Sequence, residues 1–183
     1  MSTASAAGPD GLRPSHLRQL IGPDAGGSRE QLLEALGNFA SLCTKGQVPQ
    51  EAAPYFFGAA LCALRKKDGA ARPIAVGCAI RRVISKAICF TLRNKSISLL
   101  SPRQLGVGVK NGAVTAAHAA RRFLSTCTSN SGLLKLDFQN AFNALDRSEM
   151  LTAVNKHIPE LFSYTFAAYA TPSHLIYIWT TPA

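Results

Sequence analysis

The sequence predicts an α+β fold, mostly helical with short antiparallel strands, and three observations carry that expectation. Apolar residues recur at helical spacing through "SREQLLEALGNFASLCTKG", and again through "AIRRVISKAICFTLRNKSISLL". Between them, "YFFGAALCALRKKDGAARPIAVG" divides into two β-rich runs around a Lys-Asp-Gly turn. A chain of 183 residues that is 47% apolar is long enough to bury a core around these elements.

The elements follow in order. After a loose Ala/Ser/Gly lead over residues 1–9, Asp10 and Gly11 make a turn, and "PSHLRQLI" reads as a short helix with Pro14 in its first turn. In the next helix, Ser28 and Gln31 fit a capping box. Leu32, Leu33, Leu36, Phe39, Ala40 and Cys43 form its apolar stripe, and Gly46 ends it. The two strands run over about residues 57–65 and 72–77, giving a hairpin with a basic tip. Over 79–100, Ile80, Val83, Ile84, Ala87, Ile88, Thr91 and Leu92 share one helical face, which leaves Arg81, Arg82 and Lys86 on or beside the other, offered to solvent or ligand. The Gly-rich loop "SPRQLGVGVKNG" leads to a helix over about 113–126, and "SNSG" turns into a strand, "LLKLDF", that ends at Asp137. A helix opens at Asp146, with Glu149 placed for a capping box, and continues to about Lys156; Arg147 reads as a local anchor. "PELFSYTFAAYA" is a further helix starting at Pro159, and "SHLIYIW" a final strand.

Charge is unevenly placed. Between Arg65 and Arg122 stand thirteen Lys/Arg against one acid, Asp68, a local charge of +12 in a chain whose net charge is +10. A solvated face usually interleaves acids with its bases, so a block this one-sided points to a polyanion: nucleic acid or nucleotide phosphate. The five cysteines form no CxxC pair and the four histidines are scattered, so no zinc site or disulfide framework is indicated, and the cysteines read as small core residues. No run is long enough to span a bilayer, and the opening residues lack a signal-peptide pattern, so an intracellular chain without membrane contact is expected.

Known phosphate motifs do not account for the glycine loop. "QLGVGVKNG" fits neither the P-loop nor the dinucleotide pattern, and Gln139 and Ala141 stand where a calcium loop needs oxygen donors. What remains for Asp137 is a strand-end carboxylate acting with carboxylates elsewhere, as in two-metal phosphoryl transfer.

Four stretches, "GPDGLRPSHLRQL", "LRKKDGAARPIAVGCAIRRVISKAI", "QLGVGVKNGAVTAAHAARRF" and "LLKLDFQNAFNALDR", together resemble the reverse transcriptase domain of non-LTR (LINE-like) retrotransposons, over almost the whole chain from about Gly8 to Tyr177. The resemblance implies a right-hand polymerase: fingers over 10–131 with the N-terminal helices and basic hairpin, and the start of a palm over 132–183. It implies that Asp137 is the first catalytic, metal-binding carboxylate, that the backbone carbonyl of Phe138 meets the same cation, and that Phe142 screens the sugar 2′ carbon. Lys66 and Arg72 match cations that close on the incoming triphosphate. Arg81, Arg82 and Lys86 match positions near template or nucleotide phosphates, and Gln104, Gly106 and Gly108 match the loop that approaches the primer-template backbone. Implied partners are an RNA template, a DNA primer and deoxynucleoside triphosphates, and the implied cofactor is a pair of Mg2+ ions, which this chain alone is not expected to hold. An active parent element would place the protein in the nucleus at its integration site.

The family pattern continues with a "QGDPLGP"-like segment and a "YADD"-like turn, and this chain has neither. The expectation is therefore an N-terminal fragment of an RNA-directed DNA polymerase, inactive alone. The alternatives are a non-catalytic nucleic-acid-binding protein derived from such a polymerase, or a decayed element product.

Overall fold

A computed structural model describes residues 5–23 and 26–177. Asp10 and Gly11 make the turn that the sequence predicts: the Asp10 carboxylate accepts the Leu12 N–H at 3.1 Å, and Gly11 takes φ +70°, which a side chain would resist. Helix α1 (Pro14–Leu20) then starts on proline, whose missing N–H costs nothing in a first turn. Helix α2 (Ser28–Thr44) begins one residue earlier than a capping box would require. Gly27 is its N-cap, with no side-chain cap, so Ser28 is already helical. Its C-terminus closes as expected, with Gly46 at φ +74° donating to Cys43 O at 2.9 Å. Of the predicted stripe, Cys43 is fully buried and Leu32, Leu36 and Ala40 are half-buried, whereas Leu33 and Phe39 are exposed.

A short helix α3 (Ala53–Phe56) leads into strands β1 (Ala59–Arg65) and β2 (Ala71–Gly77), an antiparallel hairpin in the register Ala59↔Gly77 to Arg65↔Ala71. Strand β3 (Leu175–Tyr177) adds to β1 in parallel, so the sheet is mixed, ordered β2-β1-β3, where antiparallel strands alone are expected from sequence. A parallel partner needs a long crossover, and the chain supplies one through all the intervening helices. Residues 178 and 179 of the expected final strand lie outside the described residues. Where β3 approaches, Gly58 is required: a Cβ there would stand 2.7 Å from both His174 O and Pro54 O.

The expected helix over 79–100 divides at Leu92 into α4 (Ala79–Thr91) and α5 (Arg93–Leu100). Helix α6 (Gly112–Thr126) follows the glycine loop. The predicted strand "LLKLDF" is not formed. Those residues are irregular and exposed, Leu134 at 81%, and no described strand pairs with them. A β-prone run becomes a strand only when a neighbour supplies a ladder, and none of the described strands does so here. Helix α7 (Arg147–His157) is capped by Asp146, whose carboxylate accepts the Glu149 N–H at 3.0 Å and the Ser148 hydroxyl at 2.5 Å; α8 (Pro159–Tyr169) follows at once.

The core lies where α2, α4, α8 and the start of β1 meet. Cys43, Phe57, Ile84 and Tyr164 form its centre, flanked by Ala40, Val48, Phe56, Ile80, Ile88 and Leu161. Phe57 takes an edge contact from Phe56 at 5.0 Å and another from Tyr164 at 5.8 Å. Cysteine is a core residue only at Cys43 and Cys78; Cys62 lies on the outer half of the hairpin and Cys89 on the outer side of α4, both exposed, which corrects the expectation for all five. No helix among the described residues is long and apolar enough to cross a membrane.

Candidate nucleic-acid interface

The hairpin is anchored at one end only. Ala59 and Ala60 are buried, and from Cys62 through Pro73 every residue is exposed, so the turn stands off the core. Its geometry is set locally: Lys66 N–H donates to Ala70 O at 2.8 Å, Gly69 takes φ +84°, and Asp68 accepts the Ala70 N–H at 3.1 Å. Asp68, the one acid of the basic block, is thereby committed to the turn. Arg65, Lys66, Lys67 and Arg72 then surround a groove of about 530 Å³ with Leu64 and Asp68. Lys66 and Arg72, matched from sequence to triphosphate-binding cations, are thus brought to one groove by the Leu64↔Arg72 register.

Helix α4 separates its three expected cations. Lys86 is exposed, as predicted. Arg81 and Arg82 are instead half-buried and held by backbone carbonyls: Arg81 Nη1 donates to Phe57 O, and Arg82 Nη2 donates to Ala6 O at 2.7 Å. The Arg81 guanidinium occupies the space a side chain at position 77 would need, which accounts for Gly77. Residue 8 of the lead packs as closely, since a Cβ on Gly8 would lie 2.6 Å from Cys78 Cα.

These two arginines face a cavity of about 360 Å³ that also receives Arg147 from the start of α7. Ser85, Tyr164, Tyr169 and Ser173 supply further polar groups. Tyr164 and Ser85 share a hydrogen bond of 2.7 Å. Burial pushes the Tyr164 phenol up, the Ser85 hydrogen bond and the Arg81 charge opposing it, so the phenol stays protonated at neutral pH. Arg147 reads from sequence as a local anchor, and Ser85, Tyr164, Tyr169 and Ser173 carry no sequence signal. Only the packing of α4 against α8, and the chain reversal between α7 and α8, puts them beside Arg81.

The glycine loop is organised inward. The Gln104 side chain accepts the Gly106 N–H at 2.7 Å, Gly108 at φ +71° lies against the Ile97 side chain, and Gly112 lies against Leu105 O. Gln104 and Gly106 therefore shape the loop in this structure. Lys95 has a partner as well, Glu160 on α8 at 2.6 Å.

Asp137, Phe138 and Phe142 lie on the irregular segment before α7, all exposed, with Phe138 73% and Phe142 99% accessible. Phe142 is thus not a core aromatic in this chain. The implied Mg2+ ions do not fit the described residues: no group of three His, Cys, Asp or Glu comes together among them, and the Asp146 carboxylate is held by Ser148 and Glu149. A lone carboxylate such as Asp137 would leave Mg2+ largely hydrated and weakly held.

The arrangement gathers positive charge at two places, an open basic groove on the hairpin and a walled arginine cavity beside the core. Comparisons of the chain with protein-family models, curated proteins and solved structures give no match in any of the three.

Proposed function

We propose that this chain is the fingers and opening palm of an RNA-directed DNA polymerase of the non-LTR retrotransposon type, and that its own contribution is to bind nucleic-acid and nucleotide phosphates. The observation that carries the reading is the hairpin: four cations line one exposed groove, and the only acid among them is held in the turn. Cations without internal partners raise the local concentration of polyanions and release counterions when phosphates replace them. In the polymerase reading, Lys66 and Arg72 hold the triphosphate of an incoming deoxynucleotide while Phe142 screens its sugar and Asp137 contributes one of several carboxylates. Chemistry then requires carboxylates beyond those of this chain.

A second reading, a non-catalytic nucleic-acid-binding protein, is favoured by the lack of any group of three metal-ligating side chains among the described residues. The two are separated by primer extension. The 183-residue chain binds a primer-template without extending it under either reading. In a polypeptide that joins it to the remaining palm carboxylates, Asp137→Asn abolishes synthesis and leaves template binding intact if the polymerase reading holds. Synthesis indifferent to Asp137→Asn refutes that reading, and an absence of salt-dependent oligonucleotide binding refutes both.

A further inference from the structure

The cavity between α4 and α8 is built around positive charge that nothing in the described chain neutralises. Arg81, Arg82 and Arg147 all line it, no carboxylate does, and none of the three is paired with an acid among the described residues. Arg81 and Arg82 are half-buried, and such guanidinium groups are costly without an anion; the exposed Arg147 adds a third like charge at the mouth. Two of the three cannot easily withdraw. Arg81 is fixed by the Phe57 carbonyl and by the gap that Gly77 leaves, and Arg82 by the Ala6 carbonyl. Arg82 nevertheless keeps its Nε–H buried and without a partner among the described residues. A buried N–H of this kind is rare and leaves a donor that the described residues do not satisfy. Ser85 and the Tyr164 phenol add hydroxyls to the same wall.

We propose that this cavity is a phosphate-binding site, with Arg82 and Arg147 gripping the phosphate oxygens, Arg81 supplying charge from behind, and the Ser85–Tyr164 pair donating from the wall. A phosphate fits this set better than a carboxylate because it brings more acceptor oxygens and up to two charges, and guanidinium forks match it in bidentate fashion. The inference rests on the reading that the chain binds nucleic-acid phosphates, and it adds a second, walled site to the hairpin groove. Lys86, exposed and not among the residues that line the cavity, takes no part. The phosphate can come from the end of a nucleotide or strand, or from the backbone of a strand.

The experiment titrates the whole chain with inorganic pyrophosphate, and with a 5′-phosphorylated and a 5′-hydroxyl oligothymidylate. It compares Arg147→Gln, Arg147→Lys and a hairpin variant neutralised at Arg65, Lys66, Lys67 and Arg72. Arg147 is exposed, so its replacement leaves the core untouched. Pyrophosphate affinity should fall about tenfold or more in Arg147→Gln, recover in part in Arg147→Lys, and persist in the hairpin variant. A preference for the 5′-phosphorylated strand that Arg147→Gln removes identifies a terminal phosphate, while an equal loss for both strands identifies the backbone. Pyrophosphate binding that is absent, or unchanged in Arg147→Gln, overturns the site. Hairpin-dependent oligonucleotide binding would then leave the polymerase reading standing. Conversely, Arg147-dependent pyrophosphate binding supports the site even if the hairpin variant binds oligonucleotides like the parent.

Discussion

Neutralising the hairpin groove is the sharpest test of its role. Replacing Arg65, Lys66, Lys67 and Arg72 with Gln removes four charges while largely keeping side-chain length, and all four lie in the exposed outer half of the hairpin, away from Ala59 and Ala60 that anchor it. If each cation meets one phosphate of a single strand, the slope of log K against log salt falls by about 0.7 per contact, about 2.8 in all. Between about 50 and 200 mM salt the parent should then lose about 50-fold more affinity than the variant. Fluorescence anisotropy of a labelled oligothymidylate, repeated across a series of salt concentrations, measures both quantities. Circular dichroism and thermal unfolding should match the parent, because surface changes remote from packing leave stability nearly unaltered. An unchanged slope with an intact fold would refute the assignment and make these cations a solvated surface. A slope lowered by only about 0.7 would mean that one contact reaches phosphate and the rest face water.

Three further outcomes are expected. Ile84→Ala, at a position 4% accessible and packed with Cys43, Phe57 and Tyr164, should cost about 2 to 5 kcal/mol in denaturant unfolding; a loss well below that would place the core elsewhere. Phe142→Ala should leave the melting temperature of this chain unchanged, since the ring is 99% accessible, and a large drop would show that it packs against something. Lys95 holds the Glu160 carboxyl below its usual range, so the pair stabilises the fold above the unfolded carboxyl's range and loses that contribution as pH falls through the lowered folded value. Because both side chains are about half exposed, the effect is small and salt-sensitive. Glu160→Gln should lower the melting temperature slightly at neutral pH and converge with the parent in acid; a gap that persists there would assign it to packing.

Local patterns set most of the elements. The Lys-Asp-Gly turn and its flanking runs gave the hairpin to within two residues, the apolar periodicity gave α2 and α4, and Pro14 and Pro159 marked helix starts. Each of these depends on interactions within a few residues, which a sequence displays directly. Failures came where a neighbour decides. "LLKLDF" has strand composition, yet it finds no ladder partner among the described residues, and the helix that Ser28 was expected to cap takes Gly27 as its N-cap instead. Cys62 and Cys89 are apolar in composition but lie on sides of β1 and α4 that nothing covers.

By itself the sequence determined the sign of the charge this block carries, because thirteen bases and one acid have the same sign however they fold. It also placed Lys66 and Arg72 near one hairpin tip, and the register then brought them to one groove. Only the tertiary structure decided that Arg81 and Arg82 turn inward to backbone carbonyls while Lys86 stays in water, and that Arg147 meets them across the α4–α8 contact. The physical reason is reach. Helical spacing says which residues share a face, but which cation on that face is desolvated, and beside what, depends on the carbonyls, glycines and tyrosines that distant segments bring to it.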